Sequence, residues 1–91
     1  MNARGGSASQ DGMLATNRKP SWVICCRLAD NLRRYRILRG YTQEDLAARC
    51  GFHKNYVSIV EQARVNITLA NLEALAGGLG CGEEELLMRN R

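Results

Sequence analysis

The chain has 91 residues, 45% of them hydrophobic and 24% charged, with a formal net charge of +4. That length allows one domain with a modest core and leaves little room for an enclosed substrate pocket, and the composition excludes wholesale disorder. The charge is uneven: ten basic residues face four acidic ones over 18–64, whereas two face four from residue 65 onward. A basic block ahead of an acidic end suits a phosphate-rich partner, or else a plain solvated surface.

Residues 1–20 are rich in Gly, Ser, Asn and Ala and carry no periodic apolar pattern. They read as a disordered tail ahead of a folded domain over 21–91, with Arg18 and Lys19 as a possible arm toward a polyanion. Ser21 is the expected cap of a first helix. Ile24, Leu28, Leu32, Tyr35 and Leu38 recur on one helical face, and Gly40 suits a left-handed stop. Thr42 with Asp45 forms an approximate capping box for a short second helix that reaches Cys50 and closes at Gly51.

A third helix is expected over 53–62, with Phe52, Val57 and Val60 turned inward. Thr68 is placed to cap a fourth, whose buried face holds Leu69, Leu72, Leu75 and Ala76. Glu83, Glu84 and Glu85 open a fifth, where carboxylates complement the helix dipole, and Leu86, Leu87 and Met88 supply its apolar side. No stretch alternates at period two, so the fold class is all-α, four or five short helices joined by tight turns.

Cys25, Cys26, Cys50 and Cys81 form no C-x-x-C pair, and His53, the single histidine, is not placed to complete a zinc site. Reduced thiols acting as small core hydrophobes are expected, with Cys25 and Cys26 partly exposed, no metal and no cofactor. The longest apolar run, 22–26, is too short for a secretory or membrane segment, and a cytoplasmic location is expected. No set of histidine, carboxylate and nucleophile suggests an enzyme, and the acidic run after Gly77, Gly78, Gly80 and Gly82 would repel a phosphate.

The informative stretch is 43–61, QEDLAARCGFHKNYVSIVE. A small Ala47, a turn-forming Gly51 and apolar Leu46, Cys50, Phe52, Val57 and Val60 meet the demands of two short helices crossing steeply around a tight turn. Lys54, Asn55 and Ser58 fall between the apolar positions and point away from the core. With LRRYRILRGYTQEDLAARCG overlapping its start and LANLEALAGGLG after it, the chain resembles the Cro and phage-repressor (XRE) type of helix-turn-helix protein over 28–87.

The resemblance implies a five-helix, lambda-repressor-like domain that binds double-stranded DNA as a homodimer, with its third helix in the major groove. It matches His53, Lys54, Asn55, Ser58 and Ile59 to base-reaching positions. Lys54 suits guanine, Asn55 adenine and Ile59 a thymine methyl. Thr42 and Gln43 match phosphate contacts at the second helix's start, and Arg64 and Asn66 match loop contacts that solvent exposure would explain equally well. Tyr56 either offers its hydroxyl to a phosphate or only packs.

Arg36 and Glu61 match an interior ion pair of structural rather than DNA-contacting role. Ala63 stands where such proteins commonly carry glycine and Ile67 where they carry proline, so a positive φ at Ala63 would be strained. A dimer contact is expected around Leu86, Leu87 and Met88. The implied function is a transcriptional regulator, most simply a repressor. The alternative is the antitoxin of a toxin–antitoxin pair, using the same domain to hold a protein partner.

Overall fold

The computed structural model describes residues 20–89; of the expected tail, residues 1–19, with the arm at Arg18 and Lys19, lie outside the described residues, while Pro20 belongs to the first helix. Five helices follow in order: α1 (Pro20–Leu38), α2 (Gln43–Cys50), α3 (Tyr56–Glu61), α4 (Leu69–Leu79) and α5 (Glu83–Leu87). No strand occurs among the described residues.

Helix α1 begins at Pro20, whose fixed φ suits a first helical position; Ser21 therefore lies inside the helix and not before it. Nineteen residues make a rod ~28 Å long, and only its middle is covered: Leu28, Ala29 and Leu32 are buried, while Ile24 and Leu38, on the expected inward face, are 42% and 68% exposed. The rod overruns the elements packed against it, chiefly α3 and α5.

Helix α2 is delimited by local chemistry. The Thr42 side chain accepts a bond from the Asp45 amide and the Asp45 carboxylate accepts one from the Thr42 amide, both at 2.9 Å. Gly51 ends the helix at φ 78°, a left-handed conformation that costs glycine nothing. Helix α4 repeats the pattern, with Thr68 Oγ1 accepting from the Asn71 amide. At α5 the Gly82 amide donates to Glu85 at 2.7 Å, so one of the three expected carboxylates is a specific cap.

The core joins Leu32 of α1, Leu46 and Ala47 of α2, Val57 and Val60 of α3, Leu72, Leu75, Ala76 and Leu79 of α4, and Leu86 of α5. Each fully buried leucine is worth ~1.5–3 kcal/mol. Leu69, expected among them, is 82% exposed; as the first residue of α4 it sits a turn ahead of the buried face. Helices α2 and α4 meet closely at Gly78, where a Cβ would lie 2.5 Å from Cys50 Sγ. The Cys50 thiol donates to the Ala74 carbonyl, and burial pushes its pKa up.

One buried polar side chain has no counterpart in the sequence reading. Asn31, fully buried, donates to the carbonyls of Leu86 and Met88 at 2.9 and 2.8 Å and accepts from Arg34. It satisfies carbonyls at the end of α5 that the short helix leaves without partners.

Candidate nucleic-acid interface

Helix α3 is anchored by Val57 and Val60, which are buried. At 3.6 residues per turn the flanking positions Asn55, Ser58, Ile59 and Gln62 then fall on the outer sides. Asn55 and Gln62 are exposed and Ser58 and Ile59 half-buried. Gln62 Nε2 donates to Ser58 Oγ at 3.1 Å, a local link along this row.

The helix is shorter than the expected 53–62. His53, Lys54 and Asn55 precede it as a turn, all exposed. His53 shapes that turn: its Nδ1 accepts the Asn55 amide at 3.1 Å and its carbonyl accepts the Tyr56 amide at 2.9 Å. Asn55 is the N-cap of α3 but its side chain makes no capping bond, and the imidazole instead holds the turn just ahead of it.

The starts and ends of α1, α2 and α3 meet at Glu61. Arg36 Nε and Nη2 donate to its two carboxylate oxygens at 2.6 and 3.1 Å, with side-chain exposures of 12% for Arg36 and 4% for Glu61. Arg36 Nη1 also donates to the Tyr41 carbonyl. Gln43 Nε2 completes the cluster, donating to Glu61 at 3.0 Å. A bidentate guanidinium–carboxylate pair satisfied on all sides fixes the relative placement of the three helices. Gln43, matched above to a phosphate contact, thus has one amide hydrogen committed inward and a second one left to donate.

The remaining candidates sit around this row. Thr42 is exposed, although its side chain serves the cap. Tyr56 lies against Phe52 with ring centroids 4.5 Å apart, and its hydroxyl accepts from Asn71 Nδ2 at 2.9 Å. That leaves its own proton pointing elsewhere, so packing and donation are compatible. Arg64 is exposed and bonds only locally, to Gln62. Asn66 Oδ1 accepts from the Cys25 thiol at 3.1 Å, a contact the sequence did not signal.

Ala63 has φ 59°, the one positive value outside glycine among the described residues. Leu86 is fully buried in this chain's own core. Of the other two residues expected at a dimer contact, Leu87 is half-buried and Met88 exposed. All four cysteines are free and half-buried. No helix among the described residues is long and apolar enough to cross a membrane.

Comparison with known proteins agrees with this geometry. A family model described as helix-turn-helix matches residues 32–86. A Neisseria meningitidis protein called a hypothetical transcription factor is 46% identical over 61 residues, 67% of this chain; the matched stretch spans 58% of that relative's length. The restriction-modification controller protein C.AhdI of Aeromonas hydrophila superposes with a TM-score of 0.70 at 31% identity, covering 75% of this chain and 99% of that one. The controller C.Esp1396I, solved as a tetramer on its natural 35-base-pair operator, superposes with a TM-score of 0.63 at 26% identity, covering 71% of this chain and 96% of that one. The chain belongs to the helix-turn-helix family, and the relatives it matches are named as transcription factors and restriction-modification controller proteins.

Proposed function

From that membership, we propose that the protein is a sequence-specific repressor of transcription that binds double-stranded DNA as a homodimer, with α3 in the major groove. The observation that carries this reading is the outer row of α3 and its preceding turn. Ser58 and Ile59 on the helix, and Lys54 and Asn55 in the turn before it, are groups of base-reading type on the side away from the anchoring Val57 and Val60. Lys54 reads guanine O6 and N7, Asn55 pairs with adenine N6 and N7, and Ile59 meets a thymine methyl, with His53 at the margin. Thr42, Gln43, Tyr56, Arg64 and Asn66 hold phosphates and set the register without reading sequence.

Selection from a library of random duplexes at about 0.15 M salt tests the reading. A twofold-symmetric motif with half-sites about 10 base pairs apart supports a dimeric, sequence-specific regulator. Binding without enrichment that fades steeply with salt reduces it to phosphate attraction. An unchanged preferred site for Asn55→Ala removes the adenine contact.

A further inference from the structure

The residues matched to DNA do not include Gln62, yet its side chain joins two of them. Helical bonding continues to its amide, which donates to the Ser58 carbonyl at 3.1 Å, so Gln62 stands one turn beyond Ser58 on the same side. Ala63 then takes its left-handed φ of 59°, and the Arg64 amide turns back to the Ile59 carbonyl at 3.3 Å, a common way for a helix to end. That reversal sets Arg64 beside Gln62. Two bonds follow in line: Arg64 Nη1 donates to Gln62 Oε1 at 3.2 Å, and Gln62 Nε2 donates to Ser58 Oγ at 3.1 Å.

The arginine fixes the direction of this chain. A guanidinium only donates, so the Gln62 atom that faces it is the carbonyl oxygen, and the amide nitrogen is left to face Ser58. Ser58 Oγ therefore accepts from within the protein, and among the described residues no acceptor takes its hydroxyl hydrogen. A free serine hydroxyl donates or accepts with equal ease and so meets any base. This one already accepts, which polarises it into a better donor. A base that offers only a donor would leave its hydrogen unpaired at a contact from which water has gone, and that is costly.

We infer that Gln62 is a positioning residue that makes Ser58 a hydrogen-bond donor to DNA. The base facing Ser58 then carries an acceptor, as guanine, thymine and adenine do in the major groove, and cytosine, whose N4 only donates there, is disfavoured. The inference rests on the major-groove reading above. Arg64 keeps its other guanidinium hydrogens for a phosphate, so the same link ties a register contact to a base contact.

The random-duplex selection tests it on the full chain and on Ser58→Ala, Gln62→Glu and Gln62→Ala. Ser58 and Gln62 lie outside the buried core, and unchanged far-UV circular dichroism is expected of each variant. Ser58→Ala locates the position, which is the one whose base order it alters most. In the wild type cytosine should be retained least there, about threefold to tenfold below the best base. Gln62→Glu reverses the chain: the new carboxylate only accepts, from Arg64 and from the Ser58 hydroxyl, which turns the serine's lone pairs toward the base. Cytosine should then rise among the favoured bases, while the added negative charge lowers affinity for all sequences alike. Gln62→Ala frees the hydroxyl, and cytosine should become tolerated without being preferred.

A wild type that enriches no motif overturns the sequence-reading function and this inference together. An enriched motif in which Ser58→Ala alters no position, or in which cytosine is retained as well as the other bases at that position, overturns the inference alone. So does a base order there that Gln62→Glu leaves unchanged. Should Gln62→Glu retain no DNA, Gln62→Ala decides, and undiminished rejection of cytosine by that variant overturns the inference.

Discussion

Glu61 and Ala63 are two residues apart, and the structure treats them in opposite ways. Glu61 closes a buried joint in which Arg36 and Gln43 fill its carboxylate from α1 and α2. Ala63 opens the loop 62–68, which has a left-handed alanine, exposed Arg64 and Asn66, and a thiol from α1 as its main distant polar tether. Charge-assisted bonds out of water are the stronger kind, and a thiol is a weak donor. The fold is therefore secured up to the last residue of α3. In the loop that follows, Val65 and Ile67 still pack against the core, whereas the exposed side chains of Arg64 and Asn66 can be altered with little effect on folding, which separates changes in DNA contact from changes in stability.

The largest test of this contrast is Glu61→Ala. It strands a mostly buried guanidinium and should destabilise by roughly 3–5 kcal/mol, measured as a fall in the urea midpoint; an unmoved midpoint would dissolve the contrast. Gly78→Ala extends the tight side to the α2–α4 joint. Its methyl would press on Cys50 Sγ, costing about 1–3 kcal/mol against a helix-propensity gain of about 1. In a Cys50→Ala background the same substitution should become neutral or stabilising.

On the loop side, Ala63→Gly relieves a left-handed alanine. It should stabilise by about 0.5–1 kcal/mol, after glycine's extra unfolded-state entropy is subtracted. If Arg64 and Asn66 hold phosphates, DNA affinity should change separately from that gain. The smallest effect concerns pH. Bonds from the Thr42 amide and hydroxyl hold the Asp45 carboxyl below its ordinary 3.8. The cap is therefore fully present above that value and is lost as pH falls through the lowered one. Asp45→Asn should shrink the acid limb of the stability profile and leave the joint at Glu61 untouched.

The sequence disclosed features whose cause is local. The Thr42–Asp45 box, Gly51 and the Thr68 cap are each settled within four residues, and their positions in the structure are as expected. Periodicity found the centre of α1 but not its limits: Ile24 and Leu38 continue the stripe past the point where α3 and α5 cease to cover it. Leu69 misled in the same way, being in register with Leu72 and Leu75 but one turn too early. Helix α3 starts at Tyr56 and not at residue 53, behind a turn in which the His53 imidazole accepts the Asn55 amide, a contact that no capping pattern signals. Asn31 gave no signal, since it looks like any polar residue beside Asp30 until carbonyls from residues 86 and 88 arrive. The five helices were legible; the contacts that join distant elements at the site were legible only where the family resemblance supplied them, as at Arg36 and Glu61.

That asparagine has a consequence for biosynthesis. Its partners lie 55 and 57 residues downstream, and Leu86, which fills the core beside it, comes equally late. At ~5–20 residues per second, α1 leaves the ribosome several seconds before the groups that satisfy it exist. During that interval Asn31 must stay hydrated and the side of α1 that meets α5 uncovered, even once α3 has packed on its other side, so the nascent domain cannot complete its core until α5 has emerged.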